Sequence, residues 1–265
     1  MPIGICKLCL QNRDLQKSHF LPASLYRMSR FEGEPNPNPW QISAKGRYQT
    51  SKQIQDFVFC RKCEELLCKN GERYAMGQVN GRAGFPMLRT LQKSTGGRSL
   101  DGFTFYDRST TPGIDRQKLG YFAMSVFWRG SVHVWKGSSK EAPVFQLGEY
   151  EEPIRRYLIG EAPFPAGIAV MLFVCTDQFS QSVFYEPNRG NDGDAATWTF
   201  LARGLNFFLS GTEGRPVNLA DACMVTGEKG IIVARSCQDK VLGAAVQLAL
   251  ADEANKAKGR SQANG

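Results

Sequence analysis

Two short cysteine pairs, Cys6-x-x-Cys9 and Cys60-x-x-Cys63, constrain this chain more than any other feature of it. A CxxC turn sets two thiols on one side of the backbone, and two such turns complete a tetrahedral shell for a soft or borderline cation. Zn²⁺ is the expected ion, with iron behind it. A closed shell of four thiolates is expected to be structural, because catalytic zinc keeps an open ligand position. It would tie residues 1–75 into one unit and make metal binding part of that unit's folding free energy. Two disulfides are the competing use of the same thiols. The segment MPIGICKLC has no charged region followed by an apolar one, so it does not read as a secretory leader, and metal is the expected use. Cys68, Cys175, Cys223 and Cys237 show no pairing pattern and read as buried or free thiols.

Charge separates the two parts of the chain. Residues 1–100 hold 16 Lys and Arg against 7 Asp and Glu, a net +9; residues 101–265 hold 17 against 18, a net −1. A four-thiolate zinc centre would carry −2, leaving the folded first part near +7. A basic module beside a neutral one points to a polyanion, most simply nucleic acid, while a solvated basic surface is the plainer alternative. The longest apolar run, Ile168 to Cys175, is eight residues and far short of the roughly 20 a membrane span needs. A soluble cytoplasmic protein with no membrane partner is therefore expected.

Periodicity and turn residues divide the rest. Cys6–Cys9 reads as a knuckle, Gln16–Leu21 as a short strand, and Pro22 can open a helix over Ala23–Met28. Residues 31–50, rich in Pro, Asn and Gly, read as an extended excursion. Ile54–Phe59 is a second strand. Cys60 opens a helix that places Cys63, Leu66 and Leu67 on one face and that Asn70-Gly71 should end or break. Residues 94–113 read as loop and mark the expected boundary between a module over 1–95 and a larger α+β domain over 96–265. In that domain Leu119, Phe122, Ala123, Val126 and Phe127 repeat at helical spacing within Ile114–Phe127. Glu149–Ile159 reads as a helix in which Arg155 and Arg156 pair with Glu151 and Glu152. Ile168–Thr176, Ser182–Tyr185, Thr197–Phe200 and Leu205–Leu209 read as strands, and Leu242–Leu250 as a short helix. Arg129, which follows a hydrophobic helix, and His133, flanked by Trp128 and Trp135, read either as part of a ligand pocket or as core and interface packing.

The order knuckle, strand, long loop, strand, helix, with these cysteines, resembles a treble-clef zinc module. Ser18-His19-Phe20-Leu21-Pro22 lies nine positions past Cys9, and Cys60-Arg61-Lys62-Cys63-Glu64 opens the helix. Together they resemble a divergent member of the HNH (ββα-metal) nucleases, over residues 5–75 only. The resemblance implies the fold class: an N-terminal treble-clef four-cysteine zinc module followed by a larger α+β domain. It also implies a metal-dependent endonuclease acting on phosphodiesters in nucleic acid, for which bacterial defence is a fitting setting by analogy. His19 matches the family's general base, Gln55 the residue that orients it, and Glu64 the ligand of a catalytic Mg²⁺ or Mn²⁺ separate from the zinc. Asp56 or Glu72 is a candidate second carboxylate. Arg27, Lys52, Arg61 and Lys62 are candidate phosphate contacts, the last two at a helix start where free backbone N–H groups would add to the attraction. The larger domain would target, oligomerise or regulate the module. A zinc module that has lost catalysis and binds nucleic acid, or one that mediates protein–protein assembly, is the alternative.

Overall fold

In the computed structural model the described residues are 1–30, 37–38, 40–43, 46–49, 52–136, 145–189, 197–213 and 219–236. The N-terminal strands are β1 (Ile3–Ile5) and β2 (Asn12–His19), followed by helix α1 (Ala23–Met28). A two-stranded ribbon, β3 (Trp40–Ser43) and β4 (Gly46–Gln49), falls within the expected excursion, and β5 (Gln55–Cys60) returns to pair with β2. Helix α2 (Arg61–Leu67) runs through a π turn, Cys68–Glu72, into α3 (Arg73–Gln78), and α4 (Pro86–Lys93) follows. Then come the hairpin β6 (Arg98–Leu100) and β7 (Phe103–Tyr106), helices α5 (Arg116–Val132) and α6 (Glu151–Leu158), strand β8 (Ile168–Cys175) and helix α7 (Gln178–Ser182). Strands β9 (Phe184–Arg189), β10 (Thr197–Ala202) and β11 (Leu205–Gly211), helix α8 (Leu219–Ala222) and β12 (Ile232–Arg235) complete the order. The chain is thus mixed α+β.

Two sheets organise these elements. The first is antiparallel, β1-β2-β5. The second has seven strands in the order β6-β7-β12-β8-β11-β10-β9, with β12 and β8 parallel and the other pairs antiparallel. Every residue of β8 and of β12 is buried, which suits central strands covered on both faces. Buried side chains from Cys6 to Ala234 form one contiguous cluster. Phe20 stacks on Trp135 at 5.3 Å and Phe59 on Trp128 at 5.9 Å, so the small sheet packs its aromatics against α5 and the segment after it.

Several sequence expectations need correction. Asn70-Gly71 does not end the helix. A Cβ on Gly71 would lie 2.7 Å from the Phe122 backbone nitrogen, so glycine is there to let α5 approach, and the helix passes the position through the π turn. Residues 94–113 are not all loop: Asp101 and Gly102 both have positive φ (48° and 78°), joining β6 and β7 in a hairpin of the Asp-Gly kind. Helix α5 is buried nearly all round rather than on one stripe, because it lies between the small sheet and the large one. Ser182–Tyr185 is the end of α7 and the start of β9. Strand β12, a short apolar run, had no expectation at all. Arg155 pairs with Glu152, as expected, but Arg156 reaches Glu161 (3.8 Å). Cys175 is disulfide-bonded, whereas Cys68 and Cys223 are free. The helix expected over Leu242–Leu250 lies outside the described residues. Among the described residues no helix is long and apolar enough to cross a membrane.

Candidate functional site

The four expected metal ligands converge. Cys6 and Cys9 come from the turn between β1 and β2, Cys60 ends β5, and Cys63 lies in the first turn of α2. Their sulfurs all lie within 4.8 Å of one another. The knuckle closes by the Leu10 amide donating to the Cys6 carbonyl (2.8 Å) and the Cys6 amide to the Gln11 carbonyl (3.0 Å), with Leu10 at φ 58°. The Cys60 amide donates to Cys6 Sγ at 3.3 Å. A hydrogen bond from Cys63 holds the Cys6 thiol down at about 4, against burial, while the same contact pushes Cys63 up. Four packed sulfurs that compete for charge in this way are able to hold a metal ion such as zinc.

Beside this cluster lies a cavity of about 310 Å³ lined by His19, Pro22, Ala23, Glu64, Glu65, Cys68, Glu72 and Arg129. Four separate elements supply its ionisable groups. His19 ends β2, Glu64 sits one residue past Cys63 on α2, and Glu72 ends the π turn. Arg129 comes from α5, in the other half of the chain. The π turn widens the helix there, and Gly71 lets α5 close on it, so that Arg129 and Glu72 meet in an ion pair. Arg129 Nη1 also donates to the carbonyls of His19 and Phe20, each at 3.3 Å, and its guanidinium lies 5.7 Å from the Phe59 ring centre.

Burial shifts these groups in complementary ways. It pushes the His19 imidazole below its ordinary value, partly offset by a hydrogen bond with Gln53. It pushes the Glu64 carboxyl up, partly offset by the Arg129 charge and a hydrogen bond with Ser18. Both shifts favour the neutral form. Glu64 Oε1 and Arg129 Nε are buried without a hydrogen-bond partner. For Arg129 burial works against the charge, but Glu72 and Glu64 outweigh it and raise its proton affinity. Ser18 itself is buried, and its hydroxyl accepts from the Phe59 amide at 3.1 Å.

The other expected site residues divide. Gln55 stands directly across the ladder from His19, but the imidazole's side-chain hydrogen bond is made to Gln53, just ahead of β5. Of the two candidate carboxylates, Glu72 reaches the cavity. Asp56 instead bonds His133 Nε2 and Lys136 Nζ, both at 3.1 Å. Burial raises the Asp56 carboxyl, but the Phe57 amide, Lys136 and His133 outweigh it and hold it low. Arg27, Lys52, Arg61 and Lys62 are all exposed. The N-cap of α2 is Cys60, whose own amide donates to Cys6 Sγ. Gln53, in an irregular stretch, carried no sequence signal; Arg129 was a pocket candidate for its place at the end of an apolar run, but nothing local tied it to His19 or Glu72.

Comparison with known proteins finds no match: no protein-family profile, no curated protein and no solved structure is similar to this chain.

Proposed function

We propose that this protein hydrolyses phosphodiesters in nucleic acid, as a divergent HNH-like endonuclease whose treble-clef module is held by a structural zinc ion. One observation carries the reading: His19 and Glu64 face one cavity beside the cysteine cluster, and burial favours the neutral form of each. A neutral imidazole is a base and a protonated carboxyl is an acid, which is the pairing that hydrolysis requires. A ring nitrogen of His19 takes a proton from the attacking water as its oxygen bonds to phosphorus. The bond from phosphorus to the leaving oxygen breaks, and that oxygen takes the proton of Glu64. Gln53 orients the imidazole, with Gln55 beside it on the ladder. Arg61 and Lys62, with Arg27 and Lys52, contact the phosphate backbone outside the cavity.

The resemblance also implies a divalent cation, Mg²⁺ or Mn²⁺, ligated by Glu64. Such a cation would stabilise charge on the phosphate. It would also require Glu64 to be ionised, which the burial of that carboxyl opposes. The larger part of the chain holds the module in place and is the surface for a regulatory partner or a second copy. The alternative, a zinc module that binds nucleic acid or a protein without cutting, is favoured by one feature: Arg129 already fills the cavity's charge requirement.

The test is a cleavage assay of the zinc-loaded protein on plasmid, linear DNA and RNA, with and without Mg²⁺ or Mn²⁺, beside His19→Ala. Cutting that vanishes in the variant is the expected result. Absence of cutting on every substrate, with salt-sensitive binding retained, would move the reading to the binding module.

A further inference from the structure

The resemblance asks for a divalent cation in the cavity, and the residues there do not fit one as they stand. Among the described residues the only group of three or more His, Cys, Asp or Glu side chains gathered closely enough for a metal is the four cysteines. His19, Glu64 and Glu72 line the same cavity without forming such a group. What they share is Arg129. Its guanidinium is ion-paired to Glu72 and donates to the carbonyls of His19 and Phe20, in the cavity that Glu64 also lines. It is 1% exposed. A second cation using Glu64 and Glu72 would have to approach this buried positive charge, where like charges repel with little screening. The carboxylates cannot serve both.

We propose that Arg129 is the resident cation of this cavity, in the place a divalent metal would take. The inference rests on reading the cavity as the active pocket. It makes α5 part of the site: a residue 110 positions from His19 along the chain supplies the fixed positive charge and holds the end of β2 to the π turn. Among the described residues, metal dependence then resides in the cysteine cluster alone.

The experiment is a Mn²⁺ titration followed by electron paramagnetic resonance, on the full zinc-loaded chain. Wild type should take up no Mn²⁺ at micromolar concentrations. Arg129→Met should bind one Mn²⁺ at least about tenfold more tightly than wild type, and adding Glu64→Gln should remove that gain. Arg129→Lys keeps the charge and should show no gain. Uptake of one Mn²⁺ by wild type at micromolar concentration, lost in Glu64→Gln, would overturn the proposal even if Arg129→Met failed to fold. So would equal affinities in Arg129→Lys and Arg129→Met. The cleavage assay separates the two readings. Cutting by a wild type that does take up Mn²⁺ removes the role given to Arg129 and leaves the hydrolase. Exclusion of Mn²⁺ that depends on Arg129, with no cutting, keeps Arg129 as the pocket's cation and removes the hydrolase.

Discussion

Glu64 carries a stability cost that can be measured without any substrate. Its carboxyl is raised by burial, so its native state favours the protonated form, and stability is lost as pH rises through the raised value. Glu64→Gln keeps the shape without the charge. We expect it to raise Tm at neutral and alkaline pH, by about 2–4 °C for each kcal/mol recovered in a chain of this size, with the difference closing in acid. A Tm unchanged at every pH would show that Glu64 is not strained. The proposed hydrolase activity has its own pH window. His19 must be neutral, and its lowered value places the acid limb below that of an ordinary histidine. Glu64 must be protonated, and its raised value places the alkaline limb above that of an ordinary carboxyl. The profile of kcat/KM should be bell-shaped, its acid limb set by His19 and its alkaline limb by Glu64. An optimum well above neutrality would contradict Glu64 as the acid. His19 and Glu64 were legible as candidates from their spacing to the cysteines. Their proton affinities were not, because those depend on what buries them.

At the scale of elements, the meeting of α5 with the helix α2–α3 decides the site. Gly71 is where the two backbones close, and its Cβ would collide with the Phe122 backbone at 2.7 Å. Gly71→Ala should cost about 1–3 kcal/mol, the usual range for overpacking, because a backbone cannot swing aside as a side chain does. Gly77 in α3 is a matched control: it is exposed, and a Cβ there meets nothing within 4 Å. Gly77→Ala should be neutral or stabilise by about 0.5–1 kcal/mol, since alanine removes the entropy cost of glycine in a helix. Denaturant melts of the two variants check both. The sequence placed α1, β5, α6, β8, β11 and the start of α2 within a residue or two, because each shows local periodicity or a start signal. It missed the β6–β7 hairpin, whose Asp-Gly turn was present but lay in a stretch read by composition. It missed β12, a short apolar run with no flanking pattern.

For the molecule as a whole, the cysteine cluster and the larger part of the chain are joined directly. Arg155 of α6, paired with Glu152, donates to the Leu8 carbonyl inside the knuckle at 2.8 Å. A knuckle that loses its metal should therefore loosen α6 as well. Cys60→Ser, or treatment with a strong chelator, should raise proteolysis near α6 as well as within residues 1–75, whereas cleavage confined to the first 75 residues would show the two to be independent. Charge acts at the same scale. If Arg61 and Lys62 contact phosphates, replacing both by alanine should lower the salt slope of nucleic-acid binding by about two. An unchanged slope would place the interface elsewhere. What the sequence determined alone was the set of four cysteines able to hold a metal, the basic first part and the placing of His19 and Glu64 beside those cysteines, because ligand spacing, charge and helical repeat are local properties of a chain. What only the tertiary structure decided was which distant groups meet them. Arg129 paired with Glu72, Gln53 on the imidazole and Asp56 turned toward His133 are contacts across the fold, and no local pattern records a contact between residues far apart in the chain.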